Sequence, residues 1–240
     1  MNSKILEHST IRIYNLGSAI RGMRNPLNSW DKDDHNSQFD IDYIKYDEKE
    51  KTFVTLDPNM NNFRRFSVWV PIDEWIVGEN NLKLMKKLVK AGSDHAKFLR
   101  QILVCFDLEG TMDFWKQFDT YKVATVANSC STMHKVISKT IDIKDFDISD
   151  FDDNDLTQLN LIIMYINSII NNKDLSDVEK TRKISKMLPQ GYKQKRTITL
   201  NYEVLRRMYF ARKGHKLLEW QEFCKDLEEF PLFKELFLEK

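Results

Sequence analysis

The densest run of side chains able to hold an anion lies between Lys193 and Lys216. There Lys193, Lys195, Arg196, Arg206, Arg207, Arg212, Lys213 and Lys216 are accompanied by one acid, Glu203. On a helix beginning near Asn201, Arg212 falls on nearly the same face, because eleven residues are close to three turns. His215 follows just beyond. An Asn, an Arg and a His on one side suit a phosphate-bearing ligand, with Arg supplying planar bidentate donors. The competing reading is a solvated basic face alternating with core Leu205, Met208 and Tyr209; on the residues alone it weighs more.

A second run, Lys122 to His134, carries Ser129, Cys130, Ser131 and His134. Small hydroxyl and amide side chains bring backbone N–H groups close to an anion, and a thiol or hydroxyl near an imidazole invites nucleophilic chemistry. No Gly-x-Ser-x-Gly elbow or phosphate-binding glycine loop accompanies them. A capped turn with Cys130 as a small buried hydrophobe is the preferred reading. Val68 to Trp75 is aromatic enough to form a stacking platform but reads as core, and His95 beside Asp94 is a single polarisable imidazole.

These residues need a scaffold, and the composition describes it. Of 240 residues, 42% are hydrophobic and 30% charged, with only 7 Gly and 5 Pro, which favours long helices over turn-rich sandwiches. Thirty-seven basic and 36 acidic residues leave a net charge of +1, which argues against a generally basic nucleic-acid coat protein. Three scattered cysteines fit neither a disulfide framework nor a zinc site. The seven aspartates from Asp142 to Asp155 lack the glycine and closing glutamate of a calcium loop, so no metal is expected. The N-terminus has no signal-like apolar run, the apolar cluster at 161–170 is too short to span a bilayer, and a cytoplasmic protein is expected.

Alternation predicts a strand at Thr10–Tyr14, a hairpin from 39–46 and 51–56 turning at 47–50, and a strand at Phe98–Phe106. Helices are predicted at Ala19–Arg24, Asn81–Ala91, from a Thr111 cap through Phe118, Asp155–Ile170, and from the Ser176-x-x-Glu179 capping box to Pro189. Three more follow at 201–213, 215–228 and 232–238. The expectation is one α+β domain over residues 1–240, an antiparallel sheet packed with long helices.

Two patterns together resemble the flavin-dependent thymidylate synthases, over about two-thirds of the chain. Leu188-Pro189, Thr199-x-Asn201, Leu205, Arg212, His215 and Glu219 follow that family's Leu-Pro, Thr-x-Asn, Arg, His-x-x-x-Glu order, with one residue deleted between Arg212 and His215. Phe118-Asp119-Thr120-Tyr121, seven residues and Ser129 resemble its Arg-His-Arg motif in spacing. All three of that motif's residues are replaced, and Ser131 stands where a later Arg belongs. Ala19 to Arg24 looks like the family's first helix, with Pro26 for a Ser, and Asp94-His95-Ala96-Lys97 replaces its His-Glu-x-Pro. The hairpin at 39–56 and the acidic segment have no counterpart.

The resemblance implies the fold of the thymidylate synthase-complementing proteins, in a divergent, phage-type branch. It implies a pyrimidine nucleotide such as dUMP held by Tyr121, Ser129, Ser131 and Arg212. Arg24, Asn201 and His215 would lie at the cofactor, FAD, with folate as carbon donor, in a homotetramer sharing its active sites. Replacing the Arg-His-Arg set removes charge-assisted hydrogen bonds of about 1.5–3 kcal/mol each and adds an anion, so the flavin motif is eroded. Asp119 is left as a general base, a salt-bridge partner of a neighbouring subunit, or a surface residue. The resemblance therefore leads to a thymidylate synthase-like methyl or hydroxymethyl transferase. The alternatives are a non-catalytic module that binds or sequesters a nucleotide and, third, nucleic-acid binding through 193–216.

Overall fold

The computed structural model describes residues 6–34, 36–37, 44–47, 52–55, 75–130 and 136–239. In chain order the elements are β1 (Leu6–Tyr14), α1 (Leu16–Arg24), β2 (Asn36–Ser37), β3 (Ile44–Asp47), β4 (Thr52–Thr55), β5 (Trp75–Ile76), α2 (Glu79–Lys90) and β6 (Leu103–Thr111). Then come α3 (Met112–Phe118), β7 (Val126–Ser129), α4 (Asp153–Asn171), α5 (Asp177–Met187), β8 (Lys193–Asn201), α6 (Tyr202–Arg212), α7 (Leu218–Glu228) and α8 (Phe233–Phe237). Mixed helix and antiparallel sheet is the expected α+β class. The chain forms two compact units. One holds the start of β1 to Ile11, Cys105–Leu200 and Arg207–Asp226; the other holds Arg12–Val104, Asn201–Arg206 and Leu227–Lys240.

The first unit is organised by a sheet in the order β1-β6-β8-β7. Burial alternates along β6, with Phe106 and Leu108 buried between more exposed neighbours, as a half-buried strand requires. The β7–β8 pair is antiparallel and sets Ser129 opposite Arg196. Gly110 is obligatory here: a Cβ at that position would lie 2.6 Å from the Phe114 ring. Thr111 then turns strand into helix, its hydroxyl accepting from Phe114 N at 3.1 Å, and α3 buries Phe114, Trp115 and Phe118.

A second core lies under α4. Leu159, Ile163, Ile166 and Ile169 recur at helical spacing and pack with Val136, Ile141, Phe146 and Ile184. Each fully buried side chain contributes about 1.5–3 kcal/mol. Capping boxes start both helices, Asp152 with Asp155 and Ser176 with Glu179. Asn167 ties the preceding loop to α4, accepting from Ile141 N at 2.8 Å and donating to Ile141 O at 2.9 Å.

In the second unit, the carboxylate of Asp34 accepts from the amides of Asn80 (2.8 Å) and Asn81 (2.9 Å), so a distant side chain caps α2. Tyr202 is buried and donates to Pro231 O at 2.6 Å; burial pushes its phenol up. β3 and β4 are an antiparallel pair, with Ile44 opposite Thr55 and Asp47, expected in the turn, opposite Thr52; the rest of the expected hairpin, 39–43, 48–51 and 56, lies outside the described residues.

The fold departs from expectation in three places. Lys97–Arg100 is a 3-10 turn, with Phe98 and Leu99 both buried, and strand β6 begins only at Leu103. Lys193–Asn201, the front of the basic stretch and left without an element ahead of the helix expected from Asn201, is a strand, and Asn201 ends it. Val126–Ser129 is an edge strand exposed on every residue, and Cys130 beyond it is exposed, not buried. The expectation for Val68–Trp75 lies outside the described residues, apart from the backbone of Trp75.

Candidate functional site

Tyr121 and Arg212, the two larger residues expected at a nucleotide, meet in the first unit. Arg212 closes α6; its Nε donates to the Tyr121 hydroxyl at 3.0 Å and its Nη1 to Gln117 Oε1 at 3.1 Å. The same Gln117 oxygen accepts from Trp220 Nε1 at 3.1 Å. The guanidinium carbon lies 4.9 Å from the Trp220 ring centroid and 5.6 Å from that of Tyr121, within cation–π range. Trp220 stacks on Phe118 at 6.0 Å with an interplanar angle of 9°. A fixed cation thus rests on a fully buried aromatic stack. Two of its three nitrogens bind neutral groups, and Nη2 has no hydrogen-bond partner among the described residues.

His215 belongs to the same cluster, its ring 6.5 Å from that of Trp220. Its Nδ1 accepts from Leu217 N at 3.1 Å. Glu219, beside Trp220, is buried and receives Thr111 N at 2.7 Å and the Thr111 hydroxyl at 2.6 Å. Burial raises its pKa against the opposing pull of these bonds.

Asp119 pairs with Arg196 of its own chain, Nη1 to Oδ1 at 2.8 Å. Arg196 also lies 4.2 Å over the Trp115 ring and donates from Nε to Gln194 Oε1 at 3.0 Å. Gln194 in turn donates to Cys130 O. Ser129 is exposed on β7, and Ser131 and His134 lie outside the described residues. The basic stretch is not one cationic surface. Lys193 pairs with Glu109 (3.4 Å), Lys195 with Asp107 (3.3 Å) and Arg206 with Glu203 (3.7 Å).

Two of the residues expected at the cofactor, Arg24 and Asn201, are engaged by partners of their own unit. Arg24 is buried in the second unit and spends its guanidinium on Asn81 Oδ1 (2.9 and 2.6 Å) and Ser29 O (3.1 Å). Asn201, also in the second unit and buried, uses Oδ1 to cap α6, accepting from Val204 N at 3.1 Å. Asp119 already holds a cation, Arg196. These residues do not fit the phosphates of a flavin dinucleotide.

Sequence reasoning missed a cavity of about 330 Å³ in the first unit, lined by side chains that include Lys139, Lys144, Tyr192, Lys193 and Lys195. Its walls come from four separate stretches, at Glu109, Cys130, 136–145 and 192–195, so no local spacing announces it. Among the described residues no group of three or more His, Cys, Asp or Glu could hold a metal ion, and no helix is long and apolar enough to cross a membrane.

No family model and no curated protein matches the sequence. Solved structures do. One is a crystal structure of Thymidylate Synthase X (ThyX) from Helicobacter pylori with FAD and dUMP, at TM-score 0.64 and 12% identity, covering 98% of this chain and 96% of that one. Another, the flavin-dependent thymidylate synthase ThyX of the same organism complexed with FAD and dUMP, gives TM-score 0.60 and 12% identity over 95% of this chain and 98% of that one. The likeness spans nearly the whole of both chains and establishes the fold.

Proposed function

We propose that the chain is a thymidylate synthase-like protein that binds a pyrimidine nucleotide of the dUMP type, with Arg212 as the phosphate anchor. The observation that carries this reading is the Arg212 guanidinium itself, oriented by Tyr121 and Gln117 on the Trp220 ring. An arginine held by neutral acceptors keeps its full charge for a ligand, and an oriented fork loses little entropy on binding. The Tyr121 hydroxyl and Ser129 supply further polar contacts in this reading. The ThyX structures that share the fold contain FAD and dUMP, and dUMP is the ligand this chain's cationic cluster suits.

The flavin is a different matter. Arg24 and Asn201 are committed to protein partners, and Asp119 has replaced a cation. This favours the non-catalytic form of the reading, a nucleotide-binding or sequestering protein in the cytoplasm, and no redox step is assigned to the chain. The expected homotetramer belongs to the same reading, and sedimentation velocity checks it.

The test is calorimetric titration of the whole protein with dUMP, alongside its absorbance spectrum after incubation with FAD and desalting. We expect saturable dUMP binding that weakens at least about tenfold in Arg212→Met, the loss of one charge-assisted contact, and a colourless protein. Absence of dUMP binding by the folded wild-type chain overturns the nucleotide reading. A retained flavin band with turnover of dUMP in the presence of folate and reductant restores the enzyme.

A further inference from the structure

The lysine-lined cavity is separate from the Arg212 cluster in its residues, and the proposed function does not use it. Two of its lining residues, Lys144 and Asp145, belong to the acidic segment that has no counterpart in the resemblance. Lys193 and Lys195 lie two apart on β8, and their ion-pair partners Glu109 and Asp107 lie two apart on β6. Side chains two apart share a sheet face, so these are parallel rungs of one ladder. From the opposite segment Lys139 contributes a third ammonium, 2.8 Å from Asp145, and Lys144 a fourth on the same lining.

The four lysines meet three carboxylates, Asp107, Glu109 and Asp145, so positive charge is in excess. The pairs at Lys193 and Lys195 are long, 3.4 and 3.3 Å, and partly solvated. Ion pairs of that kind contribute little, so an incoming anion with several oxygens can compete for their ammonium groups. Ammonium groups are rotatable point charges suited to phosphate oxygens. The Tyr192 hydroxyl, whose pKa burial raises, remains a donor through the neutral range. Phe146 holds the Tyr192 ring edge-on at 5.5 Å, and the Val136 side chain adds an apolar wall. A volume of about 330 Å³ lies at the small end of ligand pockets and admits a small molecule, not a polymer.

We propose that this cavity is a second anion site, which takes a small phosphate-bearing molecule, with Lys144, Lys193 and Lys195 as its phosphate ligands and Glu109 as the internal carboxylate it displaces.

The test uses the whole protein, titrated calorimetrically with inorganic phosphate, pyrophosphate and dUMP, with unfolding temperature as the check on folding. The expected result is one saturable phosphate or pyrophosphate site per chain whose affinity falls with added salt. Lys144→Gln weakens it about tenfold and Lys193→Gln with Lys195→Gln weakens it further, whereas Glu109→Gln tightens it severalfold. Arg212→Met leaves it unchanged while weakening dUMP, which separates the two sites; competition between dUMP and pyrophosphate that survives Arg212→Met assigns the phosphate to a nucleotide. No saturable binding of either inorganic anion up to about 10 mM, affinities untouched by the lysine substitutions in folded protein, or loss of the site in Arg212→Met each overturns the proposal.

Discussion

Two arginines at positions resembling one family's binding residues have met opposite fates. Arg24 is 3% exposed, and all three of its nitrogens donate to the protein, two to one buried Asn81 oxygen. Arg212 is half-buried, lies against aromatic faces, and directs two nitrogens to a phenol and an amide. The first has become part of the fabric that joins α1 to α2. The second is positioned but not neutralised. What separates them is not the residue type but how completely the surroundings consume its donors, since a buried polar group must find all its partners inside the protein.

Substitution sharpens the contrast. Arg24→Met strands the buried Asn81 oxygen and removes hydrogen bonds from a charged donor, so we expect about 3 kcal/mol of destabilisation in urea unfolding. Arg212→Met leaves no fully buried acceptor orphaned, because Tyr121 and Gln117 are both part-exposed. Its cost in the same assay should stay within about 1 kcal/mol, and its effect should appear in nucleotide affinity. Equal losses in the two variants would erase the distinction.

A smaller effect concerns the floor of the Arg212 cluster. Burial raises the pKa of Glu219, so the protonated form is favoured in the folded state. Its contribution is full below the unfolded value, near 4.5, and is lost as pH rises through the higher folded value. The stability advantage of wild type over Glu219→Gln should therefore shrink between pH 4 and pH 7, as read from thermal melts at both. An advantage that grows with pH would mean the Thr111 bonds outweigh burial. Least of all, Asp119→Asn breaks a pair whose acid is half exposed; its unfolding midpoint should match wild type, while Arg196 loses its counter-ion.

How much of this was legible in the sequence depended on how local each cause is. The capped helices α3 and α5 were readable because Thr111 and the Ser176–Glu179 box act within four residues; α4 was expected from Asp155, while the cap that starts it is Asp152. β8 was not, since Lys193-Gln-Lys-Arg196 shows its charges and hides an apolar face that begins only at Ile198 and Leu200. Phe98 and Leu99 looked like strand because they are apolar, yet a 3-10 turn buries both. Tyr121 and Arg212 were found as residues, but they meet across a separation of 91 positions. Arg24 was read by its motif, and its actual partner stands 57 residues away. The cavity needs four stretches of chain at once and leaves no trace in any one of them.

Asn167 deserves a last consequence. Its amide group meets both the N–H and the C=O of Ile141, as a neighbouring strand would, at a place where there is no strand. The amide proton of Ile141 is therefore sheltered by a helix side chain, and its exchange with deuterated solvent follows the opening of α4 rather than the breathing of its own loop.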